Sequence, residues 1–197
     1  MSACTFFDNT FFHRQQLTSQ AAMDLKQLCP TSPEGKKPES VLTQLTQEAG
    51  QRQEDWKRRT DQPGELYQCL PANLHKRIFE ELKKEYGLAL QKWVTSQNLE
   101  VIRSGPRNPC LLKSGSMATS SQRFALLIPF PPLDLLKVQY WPDKEDPSTQ
   151  RPIDLLGPTL LPRNSALIVE AGEMKFQMIV FECRATRAQD DVVEVNR

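Results

Sequence analysis

Residues 124–128 read Phe-Ala-Leu-Leu-Ile, a run without a polar side chain that is closed by Pro129-Phe-Pro-Pro132. The run is too short for a free-standing helix, and it has no face to offer to water. It therefore reads as a central strand covered on both sides. A chain containing it must supply a layer for each face.

The residues around it supply β grammar. Leu99–Ile102 reads as a strand ended by the turn chemistry of Gly105-Pro-Arg-Asn-Pro109, followed by Cys110–Leu112 and a small-residue loop over 113–121. Val138–Trp141 looks extended, and 143–152 is a charged loop. Leu167–Val169 and Met174–Cys183 form two further strands. Gly172–Glu173 between them is a Gly-X pair of the kind that closes a tight hairpin. In the second of these strands Met174, Phe176, Met178 and Val180 alternate with Lys175, Gln177, Ile179 and Phe181. Pro132-Leu-Asp-Leu-Leu136 recurs as Pro152-Ile-Asp-Leu-Leu156. With two copies only, the echo reads as turn residues flanked by core leucines rather than as a repeat architecture.

Before Gln97 the period changes from two to between three and four. Leu17, Ala21, Leu25 and Leu28 predict a first helix ended by Pro30. Ser40 offers an N-cap to a second helix reaching about Thr60, with Val41, Leu42, Leu45, Ala49 and Trp56 as its apolar positions. Gly50 weakens its middle by ~1 kcal/mol relative to alanine. Leu70, Leu74, Ile78, Leu82 and Tyr86 step by four and predict a third helix, with Pro71 in its first turn and continuation past Gly87 to Leu90, Trp93 and Val94. The expected class is α+β: about three N-terminal helices packed on a small, mostly antiparallel sheet from the C-terminal half. The expected organisation is a helix and linker over 1–39, a helical segment over 40–97, a β-rich segment over 98–187 and a polar tail over 188–197, together one compact domain.

Composition narrows the function classes. Twenty-five basic and 24 acidic residues give a formal charge of +1, with no cationic half to wrap a duplex. Five cysteines, Cys4, Cys29, Cys69, Cys110 and Cys183, are odd in number and contain no C-x-x-C. A reducing, cytoplasmic setting is expected, with no disulfide framework, metal site or cofactor. Asp8, Asn9 and Thr10 interrupt the N-terminal phenylalanines, so no secretory signal is expected. No apolar run approaches the ~20 residues of a membrane span.

Three surfaces remain as candidates. Phe6, Phe7, Phe11 and Phe12 form an apolar cluster, and Val41, Leu42 and Leu45 form a helix face. Both point to an interaction or regulatory protein, an adaptor or assembly factor, that meets another protein or itself through apolar helical surfaces. Trp56, Lys57, Arg58 and Arg59, with Lys76 and Arg77, form an alternative surface where an aromatic and cations could hold a nucleic acid strand. Cys69 lies just before the third helix and His75 in its first turns, the arrangement a small cysteine-dependent enzyme would need. Glutamates and aspartates near the cations, and His75 between Leu74 and Lys76, favour ordinary solvated helix faces over the last two.

Overall fold

The computed structural model describes residues 23–24, 40–60 and 64–186. Phe6, Phe7, Phe11 and Phe12 lie outside them. The described chain forms two sheets and two helices in three layers. The large sheet has the order β1 (Met23–Asp24), β10 (Thr159–Leu161), β7 (Arg123–Phe130), β12 (Met174–Ala185), β5 (Cys110–Leu112), β3 (Leu66–Gln68) and β2 (Lys57–Arg58). A further strand, β4 (Leu99–Pro106), pairs with the second half of β12. The small sheet runs β6 (Gly115–Ala118), β11 (Ala166–Ala171), β8 (Lys137–Trp141), β9 (Arg151–Pro152). Every pairing is antiparallel.

The Phe124–Ile128 run is the pivot of this arrangement, as its composition requires. Phe124, Leu126, Ile128 and Phe130 of β7 face the helices, while Ala125 and Leu127 face the small sheet. The strand runs on through Pro129 to Phe130, pairing Pro129 with Phe176. Tyr140, Leu167, Val169, Met174 and Phe176 fill the space between the sheets. Alternation along β12 divides its side chains the same way, with Ile179 and Cys183 toward the helices and Met174 and Phe176 toward the small sheet.

The expectation of about three helices on a C-terminal sheet is corrected. Two helices are present among the described residues, and the fold is sheet-rich, with β2 and β3 contributed by the N-terminal half. Met23 and Asp24, the described part of the expected first helix, run as a strand against Leu160 and Thr159. The first observed helix, α1 (Val41–Gln51), starts at the expected cap, where Ser40 Oγ accepts the Thr43 N–H at 3.1 Å. It stops well before Thr60, because the chain past Arg52 turns extended and Lys57–Arg58 pairs with Gln68 and Tyr67. Lys175 Nζ closes its end by donating to the carbonyls of Gly50 at 2.8 Å and Arg52 at 3.4 Å, where a cation also complements the helix dipole.

The second helix, α2 (Asn73–Ser96), buries Leu74, Ile78, Leu82, Tyr86 and Trp93 and passes through Gly87 without interruption. Leu70 stands ahead of it and is exposed. Asn98 in the left-handed region (φ 50°) turns the chain from α2 into β4.

The hairpin expected at Gly172–Glu173 is also corrected. β11 pairs with β6 and β8 in the small sheet, and β12 pairs in the large one, so the two strands do not pair with each other. Gly172 does take the positive φ (86°) that the Gly-X signal implies, and its position allows no side chain, since a Cβ would come 2.7 Å from the Leu135 carbonyl oxygen. The turn is a corner between layers. The Pro-Leu-Asp-Leu-Leu echo has the same origin, because each copy carries the chain from one sheet to the other. Leu133, Leu136, Ile153 and Leu155 anchor in the inter-sheet core, and Leu135 and Leu156 remain exposed.

Candidate interaction site on the β4 edge

The surfaces expected from the sequence are distributed unevenly. Leu42 and Leu45 are 3% and 4% exposed and pack in the helix–sheet core, so they anchor α1 to its own chain. They are not available as partner anchors; Val41 is half exposed at the helix start. The cationic residues Lys57, Arg58, Lys76 and Arg77 are exposed, but Trp56 is partly buried and Arg59 donates to Gln68 Oε1 at 2.8 Å. The structure therefore does not assemble an open aromatic with a ring of free cations.

Cys69 and His75 sit in one buried neighbourhood with Glu54 and Cys110, yet their chemistry is quiet. Burial first, and then the Glu54 carboxylate, push the Cys69 thiol up to about 11, so it stays protonated at neutral pH. Burial also holds His75 below its ordinary value. Its Nδ1 accepts the Ala72 backbone N–H at 3.0 Å, and its ring stacks on Phe130. His75 thus caps α2 and fills the core. Cys69, Cys110 and Cys183 are all free and buried. Among the described residues no group of three His, Cys, Asp or Glu side chains could hold a metal ion.

A different set of residues is brought together at the other end of the large sheet. β4 pairs with β12 along one edge; its other edge has no strand partner among the described residues. Seven of its eight residues are not buried, and they include the adjacent apolar pair Val101 and Ile102. Strand register lines up charges across this end. Arg123 of β7 lies opposite Glu182 of β12, which lies opposite Arg103 of β4. Arg123 Nη2 donates to Glu182 Oε1 at 2.5 Å. One step along, Glu100 of β4 lies opposite Arg184 of β12, joined by two bonds of 2.8 and 3.0 Å. Those bonds, and then the Arg184 charge, hold the Glu100 carboxyl below the usual carboxylate range.

Two shallow grooves flank these rows and share Glu182. One of about 300 Å³ is lined by Arg103, Arg107 and Arg123. The other, of about 430 Å³, is lined by Ile102, Arg163 and Arg184. Among the described residues no aromatic lines either groove.

No sequence signal marked this site. Glu100 and Arg103, Arg123, and Glu182 and Arg184 come from three separate stretches of the chain, and only the β7–β12–β4 register makes them neighbours.

No family model matches the sequence, and no curated protein matches it. Among solved structures, the plu4264 protein from Photorhabdus luminescens aligns with a TM-score of 0.29 at 13% identity, over 42% of this chain and 66% of that one. A likeness this slight carries no argument about fold or function. No helix among the described residues is long and apolar enough to cross a membrane.

Proposed function

We propose that this chain is a non-enzymatic interaction protein whose contact surface is the β4 edge, and that its partner is a protein segment added as a strand. The observation that carries the reading is the eight-residue β4, one edge of which has no strand partner among the described residues, with apolar Val101 and Ile102 flanked by opposite charges, Glu100 and Arg103. Strand addition draws affinity from main-chain hydrogen bonds and specificity from the side chains beside them. Here the specificity elements are one acid and one base in fixed order. The contact surface thus moves from the helices, where Leu42 and Leu45 are already occupied, to the sheet.

Protein is favoured over nucleic acid because no described residue of the arginine-lined grooves offers a stacking platform and Trp56 is partly covered. Three free buried thiols support a reducing, cytoplasmic setting.

The test uses labelled eight-residue peptides of extended, β-branched composition, read by fluorescence anisotropy. A peptide placing a base opposite Glu100 and an acid opposite Arg103 should bind. The same peptide with its two charges exchanged should bind at least tenfold more weakly, as roughly 1.4 kcal/mol corresponds to that factor. Equal binding of both peptides, or of neither, would remove the reading.

A further inference from the structure

Resting on the interaction reading above, we infer that the strand partner at this edge is a second copy of the chain. It is added antiparallel, with the two-fold axis passing between Val101 and Ile102. In that register Arg103 of each copy stands opposite Glu100 of the other, and Val101 stands opposite Ile102.

The charge rows select this arrangement. One row reads Arg123, Glu182, Arg103 and breaks off at the β4 edge with a positive charge. The next reads Arg184, Glu100 and breaks off with a negative one. The two-fold joins the first row of one copy to the second row of the other, giving alternating signs across five strands: Arg123, Glu182, Arg103, then Glu100 and Arg184 of the mate. Registers centred on Glu100 or on Arg103 set like charges opposite each other. The other registers in between place each charge opposite an uncharged residue. One antiparallel register satisfies both rows at once, and it satisfies them twice by symmetry.

The backbone supplies a second, independent requirement. Residues directly opposite across an antiparallel pair must project from the same face of the sheet. Residues three apart in a regular strand project from opposite faces, which would forbid the Glu100–Arg103 match. The pairing of β4 with β12 shifts between Cys183 opposite Val101 and Glu182 opposite Arg103, leaving Ile102 as an extra residue. That bulge returns Glu100 and Arg103 to one face, because their partners Arg184 and Glu182 are two apart on β12. The irregularity thus makes the edge self-complementary. Natural edges are often blunted by charges, prolines and bulges; here the charges are one acid and one base around the exposed Val101 and Ile102, so in the two-fold register they attract rather than repel.

Sedimentation velocity over a concentration series of the full chain tests the inference. Wild type should pass from monomer to dimer as concentration rises. Arg103→Glu and Glu100→Arg each place two like-charge pairs across the axis, and each should weaken dimerisation by roughly tenfold or more. Mixed in equal amounts, the two variants should recover a dimer that native mass spectrometry shows to be one copy of each. In that mixture the first variant presents an acid at both strand positions and the second a base at both, so every cross-axis pair is again of opposite sign. Circular dichroism melts confirm that each variant is folded; Arg103→Glu leaves the Glu100–Arg184 pair intact and so serves if Glu100→Arg is destabilised. A wild-type monomer at every concentration, or a dimer indifferent to both substitutions, overturns the inference. If the wild type stays monomeric while the charge-ordered peptide binds, self-pairing fails and strand addition stands. If the peptide fails as well, both fall.

Discussion

Gly50→Ala separates what helix propensity expects from what this packing imposes. Glycine inside a helix costs ~1 kcal/mol relative to alanine, so propensity alone makes the substitution stabilising by that amount. In the fold, α1 crosses the β7–β8 connection so closely that a Cβ on residue 50 would lie 1.5 Å from the Pro131 carbonyl oxygen, where contacts under 3.0 Å are not sustained. Both groups belong to backbone, so no rotamer change relieves the overlap. The helix and the connection must part by about 1.5 Å, which costs roughly 1–3 kcal/mol as overpacking. The shift also loosens Leu42, Leu45 and Ala49, each less than 5% exposed, and the Lys175 bond to the Gly50 carbonyl. Set against the propensity gain of ~1 kcal/mol, and with the loosened packing added, the expected net effect is a loss of about 1–2 kcal/mol. Gly87→Ala is the matched control, since a Cβ there meets nothing within 4 Å; it should stabilise by ~0.5–1 kcal/mol. Urea unfolding followed by far-ultraviolet circular dichroism, with linear extrapolation, measures both. A Gly50→Ala protein as stable as wild type or more so would refute the close approach of α1 to Pro131.

Phe124→Ala should cost about 3–5 kcal/mol in the same assay, because the ring is fully buried between Trp93 and Phe181. His75 is held below its ordinary value of 6.5, so the unfolded chain binds its proton first. Its contribution to stability is full above pH 6.5 and is lost as pH falls from there through the folded-state value; unfolding midpoints should drop between pH 8 and pH 5, and His75→Gln should flatten that part of the profile. Maleimide labelling of the native protein, mapped by mass spectrometry, should leave Cys69, Cys110 and Cys183 unmodified until denaturant is added.

The parts of this fold that could be read from sequence are those fixed by local patterns. The Phe124–Ile128 run demanded cover on both faces whatever supplied it, the Leu74–Ile78–Leu82–Tyr86 spacing defined one helical face, and Ser40 could cap the turn after it. Pairing partners were not legible, because they depend on residues distant in the chain. Gly172–Glu173 carries the same local signal whether the flanking strands pair or diverge into two sheets. The Leu42–Leu45 stripe looks alike whether it covers the chain's own sheet or a partner's surface. The charge rows at β4 were the least accessible, since their members carry no local pattern and a single bulged residue, Ile102, decides which face two of them share.

Amide hydrogen exchange over residues 99–106 as protein concentration rises bears most directly on the β4 edge as the contact surface. Strands β7 and β12 are paired within the chain and should be protected at every concentration. The outward amides of β4 should exchange freely in dilute solution and become protected in step with association. Protection of β4 that does not change with concentration, whether high or low throughout, would contradict the account.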